Sequence, residues 1–250
     1  NGDGFSDILI GDHGTEVADA LAGSENPGSI HQLLLGTSQG LTAPSGDVGF
    51  TGTGFWHTTK SGDIDGDGDL DFITSNGMPN SYQDGKHFMI FKNDGDGTFT
   101  EDTNFPISLK TTINGGPNRL PPVADLNDLN NNGFADLVVG FDHANYNPEA
   151  DLRTSIYLNL DGSFKEENLV QVARPDFKTL FGRESFNIAA DKITTGDLDG
   201  NGLLDVVIKY ADRFQDDSRW IQLLYQESAG VFNDVTISKI GEYSLPQFRS

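Results

Sequence analysis

Short runs of β-branched and aromatic residues recur along this chain, each bounded by polar, glycine-rich stretches. One set follows acidic loops: Ile8-Leu9-Ile10, Phe72-Ile73, Leu137-Val138-Val139 and Val206-Val207-Ile208. A second set runs into a tight glycine turn and often on to phenylalanine. Its members are Leu33-Leu34-Leu35-Gly36 to Gly40-Leu41, Phe88-Met89-Ile90-Phe91 to Phe99, Ile156-Tyr157-Leu158 to Phe164, and Ile221-Gln222-Leu223-Leu224 to Phe232. Runs of this length between turn residues predict strands, and the Asn-Asp-Gly and Leu-Asp-Gly turns predict hairpins. No segment carries a convincing helical period; the Ala-rich stretch from Thr15 to Ala22 is the one candidate exception.

The acidic loops share one nine-residue pattern. The clearest copy runs from Asp63 to Asp71, and others run from Asp197 to Asp205 and from Asp128 to Asp136. The first copy opens at its third position, Asn1, and ends at Asp7. The ninth positions, Asp7, Asp71, Asp136 and Asp205, are 64, 65 and 69 residues apart. Near-constant spacing of this kind marks a repeat architecture. Each unit reads as strand A, acidic loop, strand B, long loop, strand C, tight turn, strand D. Four strands per unit with a recurring glycine and aromatic motif predict an all-β fold, a β-propeller of four-stranded blades. The expected blades span approximately 1–50, 51–108, 109–172 and 173–236, with the start of a further blade at 237–250.

The loop chemistry suits calcium, a hard cation that takes six to eight oxygens. Side chains at positions 1, 3, 5 and 9 and the backbone carbonyl at position 7 can converge on one ion. The glycine at position 6 permits the tight curl, because positive φ costs it nothing. The expected ligands are therefore Asp63, Asp65, Asp67, Asp69 and Asp71; Asp128, Asn130, Asn132, Phe134 and Asp136; Asp197, Asp199, Asn201, Leu203 and Asp205; and Asn1, Asp3, Phe5 and Asp7. Position 7 varies from Asp to Phe to Leu, as expected if only its carbonyl is used. An EF-hand would need Glu at position 12 and a following helix. Position 12 here is Ile10, Thr74, Val139 or Ile208, inside a β-branched run.

With these loops and the turn Asn93-Asp94-Gly95-Asp96-Gly97-Thr98-Phe99, the chain resembles the FG-GAP/VCBS-type calcium propeller repeat, found also in the integrin α-subunit head. The resemblance covers essentially the whole chain. Its departures are the Asn-rich loop at 128 and the first loop's missing first Asp. It implies about four structural Ca2+ sites on one face of a propeller of about seven blades, of which about four are present here, and a closed ring of four blades is the competing expectation. Further blades or domains of the same polypeptide are then partners. The resemblance also implies that the opposite face, made by the B–C and D–A loops, carries ligands. Candidates there are His13, Trp56, Tyr82, His143, Tyr146, Arg183 and Tyr210.

The chain of 250 residues has a formal net charge of -22 and no cysteine. Even with four divalent ions bound it would stay strongly acidic, which argues against nucleic acid as a partner. No apolar run approaches the length that spans a bilayer, so no membrane insertion is expected. Calcium loops point to an extracellular, cell-surface or periplasmic setting. No nucleophile elbow, phosphate loop or zinc signature is present. The leading expectation is a secreted or cell-surface binding or adhesion module for a glycan or protein. Alternatives are a structural subunit of a surface or toxin assembly, or a carbohydrate-active enzyme such as a polysaccharide lyase, with His143, Tyr146, Arg183 and Tyr210 as its test residues.

Overall fold

The structure, a computed structural model, describes residues 1–11, 29–50, 54, 56–76, 88–104, 122–141, 154–173, 175, 188–212 and 219–241. The stretch from Thr15 to Ala22 lies outside them. Among the described residues the chain is almost wholly β. It forms one three-stranded and three four-stranded sheets.

Blade 1 contains β1 (Ile8–Ile10), β2 (Gln32–Thr37) and β3 (Gly40–Thr42). Blade 2 contains β4 (Trp56–Gly62), β5 (Asp71–Asn76), β6 (Phe88–Asn93) and β7 (Phe99–Asp102). Blade 3 contains β8 (Pro122–Asn127), β9 (Asp136–Phe141), β10 (Ser155–Tyr157) and β11 (Leu169–Gln171). Blade 4 contains β12 (Ile188–Gly196), β13 (Asp205–Asp212), β14 (Arg219–Ser228) and β15 (Val231–Asp234). Every blade is an antiparallel meander in which sequence neighbours pair. The acidic loop joins the first two strands of each complete blade, so these are the A and B strands of the repeat. Residues 237–240, expected to begin a further blade, belong instead to one helical turn, α1 (Thr236–Ile240).

Period-2 alternation sends each blade's side chains to two different neighbours. On β6, Phe88 and Ile90 pack toward blade 3, while Met89 and Phe91 pack toward blade 1. On β9, Leu137 and Val139 face blade 2 and Val138 faces blade 4. The result is three apolar layers, one between each pair of successive blades, and this explains why the B strands read as continuous apolar runs. The A strands β4, β8 and β12 lie side by side. Asp125 on β8 links its neighbours, pairing with Lys60 on β4 at 3.1 Å and accepting from Thr195 Oγ1 on β12 at 3.1 Å.

The layer between blades 1 and 2 encloses His31, which the sequence pattern did not single out. Its ring stacks on Trp56 at 4.2 Å, meets Phe50 and Phe91 edge-on and lies tilted against Phe72. Its Nε2 lies 3.1 Å from Thr74 Oγ1. Burial lowers its pKa from 6.5 to about 4. The unfolded chain therefore protonates at a higher pH than the folded one. His31 contributes fully to stability above about pH 6.5 and loses that contribution as pH falls toward 4, by up to about 3 kcal/mol. In urea titrations at pH 7 and pH 5, His31→Phe is expected to lose less stability between the two than the parent chain. Equal losses would refute the assignment.

Candidate metal centre

The acidic loops fold by satisfying their own amides with their own carboxylates. At position 1, Asp63 accepts from Gly66 N at 2.7 Å and Gly68 N at 3.0 Å. Asp128 accepts from Asn132 N and Gly133 N, and Asp197 from Gly200 N and Gly202 N. At position 5 one side-chain oxygen accepts from the amide of position 7 in all four loops, between 2.7 and 2.9 Å. The bonds from position 5 to position 7 are Asx turns, which wind the loop on its own amides.

Two residues per loop take left-handed backbone. Position 6 is Gly4, Gly68, Gly133 or Gly202, with φ from 87° to 95°. Position 4 is Gly2, Gly66 or Gly200 with φ from 69° to 80°, and Asn131, at 57°, in the third loop. The sequence reading used only the sixth position. Asparagine tolerates this region better than other side chains with a Cβ, so the Asn-rich loop keeps the same path.

Position 9 is the anchor. Asp71 accepts Ile64 N and Asn93 N, both at 2.8 Å, and is fully buried. Asp136 accepts Leu129 N and Asn159 N, and Asp205 accepts Leu198 N and Gln226 N, between 2.7 and 2.8 Å. In blade 1, Asp7 accepts the amino group of Asn1 at 2.9 Å and Gly36 N at 2.8 Å. Each carboxylate thus ties the start of its loop to strand C of its own blade. Burial raises Asp71 to about 6, against the two amides that favour its charge, with repulsion from Asp65 and Asp67 adding to the rise. Burial likewise raises Asp136 to about 7.

Asp63, Asp65 and Asp71 each place a carboxylate oxygen within 4.8 Å of the others, and so do Asp197, Asp199 and Asp205. At position 3, Asp65 Oδ1 and Asn130 Oδ1 are both buried without a hydrogen-bond partner. A buried oxygen left unpaired is costly, and these two occupy equivalent places in two loops. An all-oxygen donor set with such free lone pairs fits a hard cation. Lys92 Nζ lies 3.4 Å from the other oxygen of Asp65 and donates to the Gly162 carbonyl of blade 3 at 3.3 Å. Asp69 at position 7 turns its carboxylate toward Gly95.

The residues expected to hold a ligand on the opposite face divide into two groups. Trp56 and Tyr210 are core residues, 3% and 4% exposed. Trp56 Nε1 donates to the Ser29 carbonyl at 2.7 Å, and Tyr210 OH donates to Gln222 Oε1 at 2.9 Å. Their places in the blade layers correct the expectation that they present a ligand surface. His13, Tyr82, His143, Tyr146 and Arg183 lie outside the described residues.

Residues 128–208 match the FG-GAP-like repeat family model. A search of curated proteins returns no match. Among solved structures, the chain is similar to one concerning the specific recognition of non-reducing terminal N-acetylglucosamine by an Agrocybe aegerita lectin. The two are 18% identical with a TM-score of 0.48, covering 87% of this chain and 50% of that one. This chain therefore spans about half the length of the lectin chain it matches.

Gly202 separates backbone cost from packing cost. A Cβ built on it meets no atom within 4 Å, but its φ is 87°. Gly202→Ala is expected to destabilise the protein by about 1–2 kcal/mol through backbone strain. Gly196→Ala, equally open but without a left-handed φ, is expected to be near neutral. Equal denaturation midpoints for the two variants would refute this.

Proposed function

We propose that this FG-GAP-repeat propeller is a calcium-stabilised binding module, working outside the cytoplasm or at a cell surface, whose ligand is a glycan or a protein. The observation that carries the calcium half is the pair of buried, unpartnered oxygens Asp65 Oδ1 and Asn130 Oδ1 at the same position of two loops. Asp63, Asp65, Asp67 and Asp71, with the Asp69 carbonyl, would hold one ion. Asp197, Asp199, Asn201 and Asp205, with the Leu203 carbonyl, would hold a second. The loops at Asp128–Asp136 and Asn1–Asp7 follow the same plan with fewer carboxylates. Calcium would supply charge neutralisation and a cross-link between the two ends of each loop. No proton transfer or bond cleavage is assigned to these residues.

The binding half rests on architecture. A rigid stack of blades fixes the loops at both of its ends, and loops on a rigid scaffold are where recognition concentrates. The acidic loops are alike from blade to blade and closed by their own hydrogen bonds. The B–C and D–A loops differ from one another in length and composition. His13, Tyr82, His143, Tyr146 and Arg183 are the ligand candidates that remain, and their side chains suit stacking on and hydrogen bonding to sugars or peptides.

Calcium removal gives the first test. At free calcium tenfold above a site's dissociation constant, that site adds about 1.4 kcal/mol of stability. Excess EGTA is therefore expected to lower the melting temperature clearly at pH 7.5. The effect has a predicted pH dependence. Without an ion, Asp71 and Asp136 have raised carboxyl pKa values. The ion-free folded state is then favoured at low pH and loses stability as pH rises through about 6 to 7. Calcium offsets that loss but must displace the protons to bind, so its stabilisation is expected to be smaller at pH 5.5 than at pH 7.5. A melting temperature indifferent to EGTA at both pH values would overturn the reading.

Ligand binding has a separate test. Glycan arrays and surface-protein capture with the calcium-loaded chain are expected to yield a ligand whose binding weakens severalfold in Tyr146→Ala and Arg183→Ala without a change in melting temperature. Binding unaffected by either substitution would move the ligand surface elsewhere.

A further inference from the structure

Position 5 of the acidic loop is aspartate in blades 1 and 2, Asp3 and Asp67, but asparagine in blades 3 and 4, Asn132 and Asn201. The asparagines keep the oxygen that winds the loop, since Oδ1 of each accepts the amide of position 7 just as the aspartates do. The exchange adds an N–H, which a carboxylate lacks. Asn132 Nδ2 donates at 2.7 Å to the carbonyl of Asn159, two residues past strand C of blade 3. Asn201 Nδ2 donates at 2.8 Å to the carbonyl of Gln226 on strand C of blade 4, and at 3.3 Å to Asp199 Oδ2 in its own loop.

The side chains of Asn159 and Gln226 carry the contact into the blade before. Asn159 Nδ2 donates to Ile64 O at 2.6 Å and to Ala135 O at 3.2 Å. Gln226 Nε2 donates to Leu129 O at 2.8 Å and to Leu204 O at 2.9 Å. Ile64 and Leu129 are the buried position-2 residues of the blade 2 and blade 3 loops. Their carbonyls belong to the peptide groups that lead into Asp65 and Asn130, the two position-3 residues whose Oδ1 is buried without a partner. The same chain of bonds therefore occurs twice: position 5 of one loop, a residue at or just past strand C, then the peptide ahead of position 3 in the preceding loop. It runs from blade 4 to blade 3 and from blade 3 to blade 2. Asp67 has no N–H with which to extend it further.

We infer that the position-5 asparagines couple the cation sites of successive blades, so that filling one loop tightens the loop before it. Such coupling rests on the calcium reading proposed for the loops. With an ion on its Oδ1, Asn132 is held at both ends of its amide, and its Nδ2 then fixes Asn159. Asn159 in turn holds the peptide that aims Asp65. A loop already ordered by its neighbour loses less freedom on taking its own ion, which is positive cooperativity without a change of fold. Asn132 and Asn201 each give up a charge at their own site and gain this link. They are positioning residues for the neighbouring loop as well as candidate ligands in their own.

The test is Asn132→Asp and Asn201→Asp, read from amide NMR spectra as calcium is added stepwise to the whole chain. The position-6 glycine amides of Gly68, Gly133 and Gly202 each report one loop. Both asparagines are exposed, and each substitution keeps one oxygen in place. Added negative charge by itself would strengthen cation binding at the altered loop and at its neighbour alike. Coupling predicts opposite shifts. In Asn132→Asp the half-saturation of Gly133 is expected at equal or lower calcium, and that of Gly68 at about fivefold higher calcium, the low end of couplings between sites. Opposite shifts in one sample cannot come from unfolding. Asn201→Asp is expected to raise the half-saturation of Gly133 in the same way, without raising that of Gly202. Neighbouring loops that fill at unchanged or lower calcium in both variants would refute the coupling and leave the calcium reading standing. A parent chain in which no loop glycine responds to calcium would overturn both.

Discussion

Each unit of this protein depends on a buried carboxylate that holds two backbone amides from separate segments. Asp71, Asp136 and Asp205 stand at the start of strand B, where one oxygen takes the second amide of the acidic loop and the other takes an amide at or near the end of strand C. Asp7 likewise accepts the amide of Gly36 from strand C of blade 1. Charge-assisted bonds of this kind are short and strong. They are also demanding, because a carboxylate taken out of water shifts toward its neutral form unless something favours the charge. The raised values at Asp71 and Asp136 express that tension, and a cation in the adjacent loop would relieve it.

The constraint passes from the loop to the layers between blades. Once position 9 is fixed, position 2 is aimed at the following blade, and Ile64 and Leu129 fill that space. Strand C then contributes Asn159 or Gln226, whose amide reaches across to the preceding blade. Blade 3 makes a direct backbone bond to the loop of blade 2, from Ala135 N to Asp63 O at 2.6 Å. Phe134 packs so closely on Gly66 that a Cβ there would fall 2.5 Å from the ring. Loop geometry and blade stacking are therefore one structure, and weakening a loop should loosen a junction.

The outward faces of the end blades show the same logic from the other side. Ile8 and Ile10 on blade 1 are exposed, and so is Leu198, the position-2 residue of blade 4. Each belongs to a pattern that is buried wherever a neighbouring blade is described. The apolar runs of β1 and β13 thus carry the same alternation as β5 and β9, with one face covered and one open.

Sequence alone determined the repeat, the order of strands within a unit and the spacing of the loop's carboxylates. All three are local: they depend on period-2 alternation, glycine turns and carboxylates a fixed number of residues apart, and no distant contact is needed to read them. It also located strand C, but not the role of the amide side chain at or near its end, because Asn93, Asn159 and Gln226 act across a chain separation that no local pattern encodes. The left-handed fourth position was legible as glycine in three loops and hidden by Asn131 in the other. Only the tertiary structure decided which aromatics belong to the core. Trp56 and Tyr210 carry polar groups that suit a binding face, and their burial follows from the neighbouring blade that supplies His31 to one and from the β14 side chain, Gln222, that pairs with the other. Residue type states what a side chain could do, and the packing of one blade on the next decides whether it is free to do it.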